Sequence, residues 1–115
     1  MKLSLIVPCF NEEESLPPFF VEVKKVINEM KVDYEILFID DGSSDGTLEE
    51  IKKYSKMDKG VKYLSFSRNF GKEAAMYAGF CNVKGDYGAV MDADMQDPPS
   101  LLPQMLNIIQ TKNFD

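Results

Sequence analysis

Four short apolar runs, at positions 3–9, 34–40, 61–66 and 86–92, recur at regular intervals along the chain as "LSLIVPC", "YEILFID", "VKYLSF" and "DYGAVMD". The first is almost continuously apolar rather than alternating, and it ends in proline and polar residues. Runs of this kind suit strands buried on both faces of a parallel sheet. Helical patterns separate them. Leu16, Phe19, Phe20, Val23, Ile27 and Met30 keep three-and-four spacing and so form one apolar helix face. Ser15 is expected to cap that helix, with Pro17 and Pro18 in the first turn, where no N–H is needed. A second helix is expected over 47–57, with Leu48, Ile51 and Tyr54 on one side. An alanine-rich third spans 72–83, with Gly85 as its stop, and a fourth spans 101–110.

The order β-α-β-α-β-α-β-α predicts an α/β domain with right-handed crossovers and a doubly wound, Rossmann-like parallel sheet. A chain of 115 residues suffices for one such domain and not for two. It stops at "TKNFD", soon after the fourth helical pattern and before another strand. A sheet truncated after the fourth βα unit, with an edge to be covered, is therefore expected.

Composition excludes several function classes. The formal net charge of −6 argues against nonspecific nucleic-acid binding, which needs Lys and Arg to displace counterions. Phosphate binding would have to occur at a focused site, with a cation's help. Histidine is absent, and Cys9 and Cys81 lack ligand-like spacing, so reduced core thiols are expected rather than structural zinc. The N-terminus "MKLSLIVPCF" lacks a small-residue cleavage pattern and is too short to span a bilayer. No other run approaches that length, and the chain as given is expected to be soluble and cytoplasmic.

In open parallel sheets, ligands bind beyond the carboxyl ends of the strands. The polar residues gather there as "PCFNEEE", "DDGSSDGT", "SRNFGKE" and "DADMQDPP". In "DDGSSDGT", Gly42 and Gly46 permit a turn and Asp45 or Ser44 can cap the next helix. That leaves Asp40 and Asp41 unexplained, and either could accept a hydrogen bond from a nucleobase or ribose. In "DADMQDPP", an extended backbone would put Asp92 and Asp94 on one side, roughly 6.5 Å apart along the chain. Both could then approach one divalent cation, with the Gln96 carbonyl as a further oxygen. Asp97, Pro98 and Pro99 read as a helix start. Arg68 and Lys72 bracket Gly71, and the helix beginning at Lys72 would aim its N-terminus at a phosphate. Residues 11–14 can serve as helix-dipole acids, while Pro8 and Phe10 could wall a flat base.

The four segments "LSLIVPCFNEEESL", "ILFIDDGSSDGT", "FSRNFGKEAAMYAGF" and "GDYGAVMDADMQDPP", in this order, resemble the N-terminal half of family 2 glycosyltransferases. The nearest subgroup is that of dolichol-phosphate mannosyltransferases and undecaprenyl-phosphate (bactoprenol) glucosyltransferases. The resemblance covers essentially the whole chain and implies a GT-A fold, with residues 1–115 as the N-terminal nucleotide-sugar-binding part. It implies that Pro8, Phe10 and Glu12 form the first nucleotide-contact segment. Ile39 and Asp41 match positions that meet base and ribose, and Arg68 matches a basic residue near the nucleotide. Asp92, Ala93 and Asp94 match the DXD motif, which holds Mg²⁺ or Mn²⁺ on the donor diphosphate, with Gln96 as a further ligand.

The implied reaction is inverting hexose transfer from a UDP- or GDP-sugar to a polyprenyl phosphate, the alternative acceptor being a saccharide in cell-wall or surface polysaccharide synthesis. Relatives continue past the position of Asp115, supplying a later catalytic acid, acceptor contacts and, in many bacterial members, membrane helices. The catalytic acidic residue is therefore expected beyond Asp115 and is assigned to no position of this chain. This chain alone is expected to bind nucleotide weakly and to transfer little or no sugar, remaining a nucleotide-binding fragment. Membrane association would come only through segments outside it. Rival readings fit less well. A phosphoaspartate receiver needs an Asp after its third strand, a haloacid-dehalogenase-type phosphatase needs DxD after its first, and a dinucleotide dehydrogenase needs G-x-G-x-x-G there. None is present.

Overall fold

The computed structural model describes residues 2–94; Gln96, the expected fourth helix and the last residue, Asp115, lie outside them. Strands β1 (Lys2–Cys9), β2 (Asp33–Asp40), β3 (Val61–Ser65) and β4 (Tyr87–Val90) alternate with helices α1 (Leu16–Met30), α2 (Thr47–Met57) and α3 (Lys72–Asn82). The strands form one sheet in the order β3-β2-β1-β4, and every pairing is parallel. This is the α/β architecture expected from the apolar runs.

Strand pleating divides the core in two. Leu3, Leu5, Val7, Ile36 and Phe38 meet Leu16, Phe19, Phe20 and Val23 of α1 and Ile51 and Tyr54 of α2. Here Phe20 stacks on Tyr54 with ring centres 4.0 Å apart. On the opposite face Ile6, Leu37 and Ile39 meet Ala75 of α3. α3 lies close to the sheet because Gly79 has no side chain: a Cβ there would sit 2.5 Å from Cγ2 of Ile6. The chain thus runs β1-β2-β3 in one direction and returns past β1 to β4. That reversal opens a crevice between the carboxyl ends of β1 and β4, where doubly wound sheets bind ligands.

Element ends depart from expectation by a residue or more. β4 stops at Val90, so Asp92 lies beyond the strand and Ala93–Asp94 form a turn rather than an extended segment. Within that turn Ala93 is fully buried in the α1-side core, while Asp94 is exposed. Ser15 does stand at the N-cap of α1, with prolines in the first turn, but its hydroxyl makes no capping bond. The Glu12 carbonyl takes the Ser15 and Leu16 N–H groups instead. Cys9 is buried, as a core thiol should be, whereas Cys81 is exposed on α3. Among the described residues no helix is long and apolar enough to cross a membrane.

Candidate nucleotide-binding cleft

Pro8 sits near the end of a central strand, where a residue without an N–H would ordinarily break the ladder. β1 residues alternate between neighbours: the Lys2 and Ile6 carbonyls accept from Asp86 and Met91 on the β4 side, and the Cys9 carbonyl accepts from Asp41 on the β2 side. The Pro8 nitrogen therefore faces the β4 side, past the last β1–β4 pair at Ile6 and Val90. The missing donor costs nothing there. The proline ring and the following Phe10, 46% exposed, become part of the cleft wall.

That cleft has a volume of about 400 Å³. Pro8, Phe10 and Glu12 reach it from the end of β1, Asp41 from β2, Lys72 from the start of α3, and Asp92 and Asp94 from the end of β4. Cys9, Asn69 and Gly71, which residue chemistry alone did not single out, also line it. Their only sequence signal is adjacency to residues that were. The cysteine is no nucleophile. Burial raises its thiol far above the usual range, and the charges of Glu12, Asp40 and Asp92 raise it further.

The loops carrying these groups brace one another. The Asn11 N–H donates to Ser43 Oγ (2.9 Å), and the Ser44 N–H donates back to Asn11 Oδ1 (2.9 Å). The Glu12 N–H donates to Thr47 Oγ1 at 2.8 Å, and Glu13 Oε1 accepts from the Gly46 N–H at 3.0 Å. Asp45 Oδ1 accepts the Thr47 N–H at 2.9 Å from one position before the cap. The N-cap itself is Gly46, with no side-chain bond, so neither Asp45 nor Ser44 takes the expected capping position of α2. Residues 11–13, read from sequence as dipole acids, act instead as ties that set the height of Phe10 and Glu12.

Asp41 has a double role. Its carboxylate is 3% exposed and accepts the N–H groups of Phe70 (2.8 Å) and Gly71 (3.0 Å), so it clamps the β3–α3 loop while lining the cleft. A carboxylate offers about four lone-pair positions, which leaves capacity for a ligand hydroxyl. It also places a negative group where a phosphate was expected to meet the start of α3. Gly42 is required beside it, with φ +73° and a hypothetical Cβ only 2.2 Å from the Arg68 carbonyl carbon. Asp40 is buried and accepts the Ser43 N–H at 3.3 Å.

Two expected contact residues stand elsewhere. Ile39 is fully buried in the α3-side core and, among the described residues, is not part of the cleft wall. Arg68 is exposed and stacks over the Phe70 ring at 4.4 Å, while Lys72 takes the basic position on the wall. Its ammonium lies 2.8 Å from Asp92 Oδ2.

The acids on the wall make its potential strongly negative. Burial raises the Glu12 carboxyl above its usual range against a hydrogen bond from Ser15, and Asp94, Asp92 and Asp45 raise it further. A divalent cation would relieve this. Among the described residues no group of three or more His, Cys, Asp or Glu side chains could hold a metal ion. The cleft wall does carry the carboxylate pair Asp92 and Asp94, hard oxygen groups of the kind that could hold a divalent cation with positions left open for phosphate and water. The resemblance implied metal and nucleotide roles for these acids and gave none of them the role of catalytic acid. That group, expected beyond Asp115, lies outside the described residues, as Asp115 itself does.

The family model for glycosyl transferase family 2 matches residues 4–115. CsbB of Bacillus subtilis is 47% identical over 104 residues, covering 90% of this chain and 32% of that protein. The bactoprenol glucosyl transferase of Shigella phage SfV is 43% identical over 106 residues, covering 92% and 34%. The chain thus spans about a third of the length of the curated relatives it matches. The fold is that of GT-A glycosyltransferases. Pyrobaculum calidifontis mannosyltransferase PcManGT, solved with GDP-Man and Mn²⁺, superposes with a TM-score of 0.72 at 20% identity, covering 93% of this chain and 32% of that one. Staphylococcus aureus TarS 1-349 with UDP gives 0.72 at 23%, covering 96% and 32%. With the match running through all four strand-end segments, the chain belongs to glycosyl transferase family 2.

Proposed function

We propose that residues 1–115 are the nucleotide-sugar-binding part of a hexosyltransferase that uses a UDP- or GDP-linked donor and a polyprenyl phosphate acceptor. The observation that carries this reading is the convergence of Asp41, Lys72, Asp92 and Asp94, from strand ends and one helix start, on a single cleft. Phe10 and Pro8 offer an apolar wall for the base. Asp41 and Lys72, both on the cleft wall, would accept from a base N–H or ribose hydroxyl and meet a phosphate respectively. Asp92 and Asp94, with Gln96 outside the described residues, would hold Mg²⁺ or Mn²⁺. Bound there, the ion would neutralise charge on the departing diphosphate.

The transfer is inverting. An acceptor phosphate oxygen forms the new bond to the anomeric carbon as the nucleoside diphosphate leaves. Such an acceptor is already anionic and needs little help from a general base. Support for the acceptor and for glucose comes from the name of the Shigella phage relative, a bactoprenol glucosyl transferase.

Asp94→Asn tests the site. Asp94 is exposed, so the change should leave the unfolding free energy within about 0.5 kcal/mol of the parent. Mn²⁺-dependent nucleotide binding should weaken by roughly tenfold or more. Stability lost in step with binding would make Asp94 a structural residue and sink the reading.

A further inference from the structure

We infer that Lys72 is a built-in counter-ion of the cleft, holding Asp92 in the absence of ligands and yielding it to a divalent cation when a nucleotide diphosphate offers the ammonium another anion. The inference rests on the functional reading above and deepens it, by coupling the metal and the nucleotide through one side chain.

Three observations converge on it. The Lys72 ammonium is 2.8 Å from Asp92 Oδ2, and Asp92 is one of the two carboxylates proposed above to bind the cation. Among the described residues that line the cleft, the four carboxylates of Glu12, Asp41, Asp92 and Asp94 face this lysine as the sole cationic side chain. Its backbone is fixed, because the preceding Phe70 and Gly71 N–H groups are held by Asp41, yet its side chain is 57% exposed. A flexible four-carbon stem on an anchored base can swing without moving the loop.

Charge then sets the order of preference. A divalent cation on Asp92 would sit close to the ammonium, and two positive charges at that range repel. Metal alone must therefore displace the lysine from Asp92 without bringing it a new anion. A diphosphate supplies one, accepting the metal on some oxygens and the lysine on another. Each ligand then raises the affinity for the other, and the coupling is reciprocal.

The test compares the 115-residue chain with Lys72→Met, which keeps the stem and removes the charge. Mn²⁺ binding alone would be followed by water-proton relaxation. UDP binding, with GDP in parallel, would be followed by calorimetry at saturating Mn²⁺. We expect opposite signs: Mn²⁺ alone binds roughly two- to fivefold more tightly to Lys72→Met, the range for losing one partly exposed ion pair. The nucleotide binds severalfold more weakly. Arg68→Met, which removes the same charge from the loop preceding α3 without touching Asp92, should shift Mn²⁺ affinity less than Lys72→Met does. Mn²⁺ affinity that is unchanged or lowered in Lys72→Met, or raised equally by Arg68→Met, overturns the counter-ion role while leaving the functional reading intact. So would nucleotide affinity that is unchanged, or that moves in the same direction as Mn²⁺ affinity. A parent chain that binds neither Mn²⁺ nor nucleotide overturns both.

Discussion

Asp40 and Asp41 are chemically identical neighbours, and their different fates arise from where the strand ends. Asp40 is the last residue of β2 and turns to the Ser43 N–H, while Asp41 passes the strand end and meets the Phe70 and Gly71 N–H groups. Those partners are 29 and 30 residues away, so no local pattern could assign them. The resemblance favoured Asp41 as the ligand-facing acid, and the fold adds the clamp. Asp41→Asn follows as a residue-scale prediction. An amide presents one acceptor and one donor where two donors arrive, so one of the two part-buried hydrogen bonds is lost. We expect a loss of about 1–3 kcal/mol in urea unfolding. An unchanged midpoint would mean that the clamp is decorative.

Elements were largely readable from hydrophobic periodicity, since burial on a sheet face or helix stripe demands apolar residues at fixed spacing. Their ends were less so, because caps depend on what another loop offers: Glu13 reaches the start of α2 and Ser15 leaves the start of α1 uncapped. A second tie of this kind lay outside the sequence reading. Lys24 of α1, Tyr34 of β2 and Asp58 after α2 form one hydrogen-bonded cluster, with the Tyr34 hydroxyl 2.6 Å from Asp58 Oδ2. Burial pushes the Asp58 carboxyl up, but hydrogen bonds from Lys24, Tyr34 and the Gly60 N–H outweigh it and leave the group below its usual range. A carboxylate held lower in the folded state than in the unfolded chain stabilises above its unfolded pKa. That stability is lost as pH falls through the folded value. We therefore expect the advantage of the parent chain over Asp58→Asn to be full near neutrality and to shrink below about pH 4, in thermal melts across that range. A gap independent of pH would show that the carboxylate charge contributes nothing.

At the scale of the molecule, the sheet order β3-β2-β1-β4 turns four separate polar loops into one site. The gathering of acids and glycines at strand ends was visible in the sequence, because parallel sheets leave those ends as the place for ligands. Which side chains face inward was not. Arg68 and Lys72 are equally basic on paper, and only the packing of Phe70 under Arg68 and the start of α3 separate them. Ile39 likewise matched a contact position, yet strand pleating buries it under α3. The central claim is that the four strand ends build a metal-dependent nucleotide-diphosphate site. Calorimetric titration of the folded chain with UDP and with GDP, in Mn²⁺ and then in EDTA, tests it most directly. The account predicts saturable binding of at least one nucleotide in Mn²⁺ that disappears in EDTA. Binding that is absent, or that is the same with and without the metal, would contradict it.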